Sequence, residues 1–368
     1  MNRLQALRDA GVSIWLDTLS RELLDSGEFA GLIADSAVTG ATSNPTIFAR
    51  AITGSDRYND QLRAAVDAGV RDPQELFFEL ALDDVRRAAD LLRPAHDDSH
   101  GRDGFVSLEC TPDLADDTQA TVEQALELWG RLDRHNVMIK VPATAAGIPA
   151  IEELTARGVN VNITLLFSVA RYEQVIDAYL SGLEQRAAAG QPVDAISSVA
   201  SFFVSRVDAK VDPVLPAGSD LRGRVAIANA QRAYARYLER FGDERWGALR
   251  DLDARPQRPL WASTGTKDPA YSDVLYVEGL IAPDVINTMP ETTLRAFADH
   301  GQVDGNLGRD ASLADETLER ATVAGIDLAA VTAVLERDGV RSFCDSYRDL
   351  LNCIETKLQL IAATRAGA

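Results

Sequence analysis

Eight short runs of apolar and small residues recur along the chain, each bounded by Gly, Pro, Asn, Asp or Ser. Runs this brief and this rich in Val and Ile are typical of β-strands. Their apolar residues are nearly continuous, which favours parallel strands covered on both faces. The eight predicted strands are Val12–Asp17, Val38–Thr42, Phe105–Glu109, Val137–Val141, Val159–Thr164, Ala195–Ala200, Leu260–Ser263 and Val285–Thr288.

The segments between most of these runs show helical spacing of their apolar residues. Asp113–Asp133 begins with capping Asp residues, and Ser168–Arg186 repeats the helical pattern. A strand–helix unit that recurs eight times predicts an α/β fold of the (β/α)8 TIM-barrel type with right-handed crossovers. A doubly wound open sheet is the structural alternative. It is disfavoured because no Gly-x-Gly-x-x-Gly turn follows the first strand.

Two long connections insert additional helices into the barrel. About 60 residues separate the second and third strands, with helical patterns at Tyr58–Ala68 and Pro73–Leu92 and a polar loop near Asp97–Asp103. About 50 residues separate the sixth and seventh strands, with a helix near Leu221–Phe241.

The C-terminal part of the chain continues beyond the last strand. Its final helix is predicted from about Ser342 to Ala363, because apolar residues form one stripe that suits packing onto the barrel. We therefore predict a single domain over residues 1–368, with a barrel core at about 12–300 and a helical extension at 305–368.

Composition is that of an ordinary globular protein, with 46% hydrophobic and 25% charged residues. No apolar stretch approaches the roughly 18 residues of a membrane span, and the N-terminal residues lack a signal-peptide layout. Three cysteines form no disulfide framework or metal-ligand spacing, which favours the reducing cytoplasm. The net charge of −19 disfavours nucleic acid and anionic membranes as partners. It also repels phosphorylated metabolites, so a site for one must concentrate cations locally.

Lys140 stands inside the apolar fourth strand, although the 37 basic residues include only four lysines. Arginine stays charged at any workable pH, whereas a lysine removed from water can lose its proton and become a nucleophile. A strand-end lysine paired with a carboxylate is the structural alternative for this residue.

Polar residues end the other predicted strands as well. In (β/α)8 barrels the carboxyl ends of the strands converge on one mouth, where the chemistry takes place. Charged groups at the ends of hydrophobic strands are costly unless they face a common polar cavity. Beside Lys140, the residues in or just after the predicted strands are Asp17, Ser43-Asn44-Pro45, Glu109, Asn162, Thr164, Ser201, Phe203, Arg206 and Lys267.

This set of groups fits Schiff-base chemistry. An uncharged Lys140 amine attacks a ketone, water leaves, and the iminium then accepts electrons while a carbon–carbon bond breaks or forms. Glu109 and Asp17 are the candidate acid and base. Asn44 and Asn162 can bind substrate hydroxyls, and Thr164 can hold a catalytic water.

Each of these residues also has a structural interpretation. Asp17 or Ser201 could cap a following helix, and Asn44 could make a turn. Glu109 could be an ion-pair partner only. Arg206 and Lys267 could be surface cations. The placement of all these residues at strand ends favours the functional interpretation.

The motifs around these residues resemble those of the transaldolase family. Asn160–Ser168 resembles the family's strand-five motif, Thr42–Ile47 its strand-two motif, Val137–Thr144 its strand-four lysine motif and Ser201–Arg206 its strand-six signature. The resemblance spans roughly residues 12–300. The longer chain is similar to an elongated bacterial subgroup.

The resemblance implies transfer of a dihydroxyacetone unit from a ketose phosphate to an aldose phosphate in the pentose phosphate pathway, without metal or coenzyme. It implies Lys140 as the Schiff-base lysine, Asp17 and Glu109 as acid and base, and Thr164 as the water holder. Substrate contacts would come from Asn44, Asn162, Ser201 and Phe203, with Arg206 binding phosphate.

The chain departs from shorter relatives in the seventh strand. Those proteins have an arginine soon after the Ala-Ser pair, whereas here Ala262-Ser263 is followed by Thr264-Gly265-Thr266-Lys267. We assign the second phosphate contact to Lys267. Two alternatives stay open, namely a fructose-6-phosphate aldolase of the same mechanism and a non-catalytic sugar-phosphate-binding barrel. The resemblance also leaves open whether the chain forms a homo-oligomer.

Overall fold

Eight parallel strands form a closed barrel in the computed structural model, which describes residues 2–303 and 311–366. Each strand pairs with the next along the chain, and the eighth pairs with the first. The strands are β1 (Val12–Leu16), β2 (Val38–Thr42), β3 (Val106–Glu109), β4 (Val137–Pro142), β5 (Val161–Leu166), β6 (Ser198–Phe203), β7 (Arg258–Ala262) and β8 (Val285–Met289). The predicted (β/α)8 TIM barrel is confirmed.

Helices cover the outside of this barrel. Many of them begin at a capping Ser, Asp or Asn, and two of these have Pro in the first turn, as helix N-termini favour. Within the described residues they are α1 (Arg3–Asp9), α2 (Arg21–Asp25), α3 (Glu28–Asp35), α4 (Pro45–Thr53), α5 (Asn59–Asp67), α6 (Pro73–Asp98), α7 (Thr118–Leu132), α8 (Gly147–Ala156), α9 (Val169–Ala188), α10 (Ser205–Val211), α11 (Val225–Arg240), α12 (Glu244–Arg250), α13 (Leu275–Glu278), α14 (Glu291–His300), α15 (Ser312–Val323) and α16 (Leu328–Ala366). Short 3-10 turns lie at Pro112–Leu114 and Asp212–Val214.

The sixth strand was predicted three residues too early, at Ala195–Ala200. The backbone N–H of Ser197 donates to the Asn160 side chain at 2.8 Å, so residues 195–197 form a loop that precedes the sheet ladder, with Ile196 and Ser197 buried. The small and apolar residues Ala195 and Ile196 continue the pattern of the strand backward, which explains the error. Ser201 and Phe203 therefore lie inside β6 and do not follow it.

The final helix was predicted to begin at Ser342 but begins at Leu328. Its first turns carry Glu336 and Asp338, which interrupt the apolar stripe. These charges pair with Arg171 and Lys210 on neighbouring helices, at 3.5 Å and 3.2 Å. The predicted start of the extension at residue 305 lies outside the described residues.

The helix predicted at Pro73–Leu92 also extends further, to Asp98, and includes Pro94. The polar loop expected near Asp97–Asp103 therefore begins later than predicted. No helix within residues 2–303 and 311–366 has the combination of length and apolar character that crossing a bilayer needs.

The pairing of β3, β4 and β5 fixes the positions of three functional candidates. Glu109 is in register with Lys140, and Lys140 is in register with Asn162. Residues at paired positions of neighbouring parallel strands lie side by side on one face of a sheet. Lys140 lies on the inner face of the barrel, where it borders the cavity described below. The pairing therefore places the amine, the carboxyl and the amide at the same level inside the barrel.

Candidate active site

A cavity of about 400 Å³ opens at the carboxyl ends of the strands. Seven of the eight strands supply a wall residue from their carboxyl end or the loop after it, and α16 supplies two further residues. This is where (β/α)8 barrels carry their active sites. The predicted site residues on its wall are Asp17, Asn44, Lys140, Thr164, Ser201, Phe203, Arg206 and Lys267.

Lys140 extends from β4 to the wall of this cavity. Its Nζ donates to Glu109 Oε2 at 3.0 Å and to the backbone oxygen of Ser43 at 2.9 Å. The residue is only 5% exposed and is surrounded along β4 by buried apolar side chains. The carboxylate pairing of the structural interpretation is therefore present. A purely structural pair would not also need to border a cavity.

Glu109 lies behind Lys140 and does not line the main cavity. It borders a smaller space next to Cys110 and Tyr347. Burial raises the pKa of the Glu109 carboxyl, and the positive charge of Lys140 partly opposes that rise. The carboxyl can therefore hold a proton more readily than an exposed glutamate.

Asp17 follows directly after β1 and borders the cavity. Its Oδ1 accepts a hydrogen bond from Thr42 at 3.0 Å. Burial raises the pKa of Asp17, while the charge of Lys140 acts in the opposite direction. The helix after it is capped by Ser20, so the alternative that Asp17 caps that helix is wrong.

Asn162 and Ser201 form a hydrogen-bonded chain inside the barrel. The Ser201 hydroxyl donates to Asn162 Oδ1 at 2.7 Å, and Asn162 Nδ2 donates to Ser107 at 2.9 Å. Ser201 borders the cavity, whereas Asn162 is fully buried behind the wall. Ser201 is therefore not a helix cap, and Asn162 reaches the cavity only through Ser201.

Thr164 and Asn44 present polar groups to the cavity in different ways. The Thr164 hydroxyl is buried and has no protein hydrogen-bond partner in the part of the chain that is described. Such a group is expected to bind a substrate atom or a water. Asn44 caps α4, because its Oδ1 accepts from the Ile47 N–H at 3.0 Å. Asn44 therefore has a structural role as a helix cap, not as the turn suggested above, and it also lines the cavity.

Three cations on the cavity wall form no salt bridge with any described residue. Arg206 lies with its Cζ 4.9 Å from the centre of the Phe203 ring, and burial lowers its pKa. Lys267 is exposed at the rim. Arg50, at the end of α4, lines the cavity beside them. These groups supply the local positive charge that a phosphate site on an acidic protein requires.

The sequence interpretation missed Arg50 and two residues of α16, Ser342 and Phe343. Arg50 follows Thr46 by one helical turn, and Thr46 also lines the cavity, so helical spacing could have identified it. The rule that strand ends form the site contains no information about α16. Nothing in the local sequence of Phe343 distinguishes it from a residue that packs in the core.

A (β/α)8 barrel with a polar cavity at the carboxyl ends of its strands is the architecture of a large class of enzymes. The sequence model of the Transaldolase/Fructose-6-phosphate aldolase family matches residues 14–354. The chain belongs to this family. The match extends into α16, beyond the range of 12–300 expected from the strand motifs.

Relatives over the full length support the same assignment. The transaldolase of Saccharopolyspora erythraea is 51% identical over 367 residues, which cover 97% of this chain and 98% of that protein. The transaldolase of Parafrankia sp. is 50% identical over 361 residues, covering 96% and 98% of the two chains. That of Mycolicibacterium smegmatis is 48% identical over 367 residues, covering 96% and 97%. The predicted transferase class and transaldolase family are confirmed.

The helix that carries Arg206 is held in place by a buried carboxyl. Asp208 accepts hydrogen bonds from the Ala226 N–H at 2.8 Å and from the Tyr276 hydroxyl at 3.0 Å. Burial raises the pKa of Asp208 to about 7, an effect that these two hydrogen bonds only partly oppose. The side chain therefore binds a proton in the folded protein at a pH where the unfolded chain has lost it.

We predict that this group makes the protein less stable as pH rises. Its contribution is complete below the unfolded pKa of 3.8 and is lost as pH passes the folded pKa of about 7. Between pH 5 and pH 8 it should remove roughly 2–3 kcal/mol of unfolding free energy. In urea denaturation, the unfolding free energy of the native protein should fall between pH 5 and pH 8 by roughly 2–3 kcal/mol more than that of Asp208→Asn. Identical pH profiles for the two proteins would contradict this assignment.

Proposed function

We propose that the chain transfers a dihydroxyacetone unit between sugar phosphates through a Schiff base on Lys140. The donor is sedoheptulose 7-phosphate or fructose 6-phosphate, and the acceptor is glyceraldehyde 3-phosphate or erythrose 4-phosphate. This is the transaldolase reaction of the non-oxidative pentose phosphate pathway. The observation that carries the proposal is the Lys140 Nζ on the cavity wall, hydrogen-bonded to Glu109 at 3.0 Å.

Imine formation requires an uncharged amine at Lys140. Glu109 can take the Lys140 proton along the hydrogen bond between them, because burial raises the pKa of its carboxyl. The free amine then attacks the ketone carbon, and the resulting carbinolamine loses its hydroxyl as water after Glu109 returns a proton. The Thr164 hydroxyl, which has no protein partner among the described residues, can hold this water.

Carbon–carbon cleavage requires a base at the adjacent hydroxyl. Asp17 borders the cavity and takes the proton from the C4 hydroxyl of the ketose. The electrons of the C3–C4 bond pass to the iminium to give an enamine, and the aldose phosphate leaves. The acceptor aldehyde reverses these steps, and water finally releases the product ketose from Lys140.

The remaining wall residues suit the rest of the substrate. Asn44 and Ser201 offer uncharged hydrogen-bonding groups for hydroxyls, and Asn162 orients the Ser201 hydroxyl from behind the wall. Arg206 and Lys267 suit the phosphate, since both are cations without a salt bridge to any described residue and they follow neighbouring strands β6 and β7.

We also propose that the enzyme works in the cytoplasm and binds no nucleic acid. The three cysteines are all free thiols, which fits a reducing compartment. The net charge of −19 opposes binding to nucleic acid.

We predict that Lys140→Arg has no measurable transaldolase turnover, because a guanidinium does not form the imine. The variant should keep its fold, since arginine can still pair with Glu109. Lys210→Arg is the matched control, because Lys210 forms an exposed ion pair with Asp338. Turnover is followed with fructose 6-phosphate and erythrose 4-phosphate, and folding by thermal unfolding. A folded Lys140→Arg variant with native turnover would contradict the proposal.

An aldolase that releases free dihydroxyacetone would use the same imine, and the family name covers both activities. We predict that turnover of fructose 6-phosphate depends on the acceptor, because in a transferase only an aldehyde efficiently discharges the enamine. Turnover should rise with erythrose 4-phosphate until saturation, with little free dihydroxyacetone. Turnover that is independent of the acceptor would identify an aldolase instead.

We predict that Arg206→Ala chiefly raises the KM for fructose 6-phosphate, because it removes a charge-assisted contact to the phosphate. Such a contact is worth about 1.5–3 kcal/mol, or roughly 10- to 150-fold in KM. Imine formation with unphosphorylated dihydroxyacetone, measured by borohydride trapping, should stay unchanged. An equal loss with both ligands would show that Arg206 supports the fold or the chemistry instead of the phosphate.

A further inference from the structure

The C-terminal helix α16 forms part of the active-site wall. It begins more than 120 residues after Arg206, and of the proposed site residues only Lys267 lies between them. Phe343 and Ser342 border the cavity together with Lys140 and Arg206. The proposed chemistry uses neither residue of α16. The position of Phe343 assigns it a function of its own.

Arg206 lies near two aromatic rings. Its Cζ is 4.9 Å from the centre of the Phe203 ring and 5.9 Å from the centre of the Phe343 ring. No described residue accepts a hydrogen bond from its guanidinium or forms a salt bridge with it. Ring contacts attract a guanidinium without occupying its N–H groups, which point outward in the plane and remain available for phosphate oxygens.

Phe343 is itself held firmly. It is 3% exposed, and polar contacts fix α16 on both sides of it. Asp338 pairs with Lys210 at 3.2 Å on the N-terminal side. On the C-terminal side, the Ser346 hydroxyl is 2.7 Å from that of Thr46 on α4. Since α4 itself borders the cavity, these contacts fix the Phe343 ring relative to the mouth of the barrel.

We propose that Phe343 is a positioning residue for the phosphate-binding arginine. Its ring restricts the long Arg206 side chain to the orientation that faces the cavity, so less freedom is lost when phosphate binds. The C-terminal helix thereby contributes to affinity for phosphorylated substrates without touching the reacting carbons. This inference rests on the proposed function of Arg206 in phosphate binding.

The test compares Phe343→Leu, which removes the ring but keeps an apolar side chain, with Phe343→Tyr, which keeps the ring. Phe343→Leu should raise the KM for fructose 6-phosphate roughly 3- to 30-fold, as expected for the loss of one cation–π contact, at unchanged kcat. Phe343→Tyr, which keeps the aromatic ring, should have a KM close to that of the native protein. Leu350→Ala removes a buried side chain on the same helix outside the cavity wall, so it should lower the melting temperature and leave KM unchanged.

A double-mutant cycle separates positioning from general support of the fold. In the Arg206→Ala background, Phe343→Leu should add little to the rise in KM, because its effect passes through Arg206. Additive effects, or a KM for Phe343→Leu equal to that of the native protein, would overturn the inference. Borohydride trapping of dihydroxyacetone should be native in every variant that folds. If trapping is unchanged but the KM effects are additive, only the role of Phe343 is rejected. If the native protein itself shows no trapping, the proposed function is rejected.

Discussion

The hydrogen bond between Lys140 and Glu109 is the interaction on which the account of this protein depends. It exists because β3 and β4 pair in a register that sets these two residues side by side inside a closed barrel. A shift of that register by one residue would leave one of the two charges inside the barrel and turn the other toward the surrounding helices. The eight-stranded closure therefore does more than bury apolar surface, since it fixes an amine and its proton acceptor at one level of the mouth.

Charge distribution separates the cavity from the rest of the molecule. The protein as a whole carries a charge of −19, yet Arg50, Arg206 and Lys267 border the cavity without a salt bridge to any described residue. Elsewhere most arginines are paired with carboxylates on the surface, where such pairs contribute little stability. Unpaired cations are costly to maintain in a partly desolvated site, and an anionic ligand offsets that cost. The acidic net charge disfavours anions in general, and the cations at this mouth oppose that effect locally.

The barrel and most of its mouth could be predicted from the sequence, because the strand-end rule is local. A run of apolar residues that leads to Lys140 or Glu109 can be identified in the sequence itself as a strand with a charged residue near its end. The boundaries of β6 could not be predicted, because Ala195 and Ile196 in the loop before Ser198 continue the strand's pattern of small and apolar residues. The burial of Asn162 depends on partners in two other strands, Ser107 and Ser201. Phe343 approaches Arg206 only through the tertiary packing of α16, which no local pattern encodes.

The central claim is that Lys140 forms a covalent imine from which a three-carbon unit is passed on. Mass mapping of the native protein after treatment with fructose 6-phosphate and borohydride tests it most directly. We expect one three-carbon adduct, located on the peptide that contains Lys140. A protein that turns over the substrate but carries no adduct there, or carries it on Lys267 instead, would contradict the account.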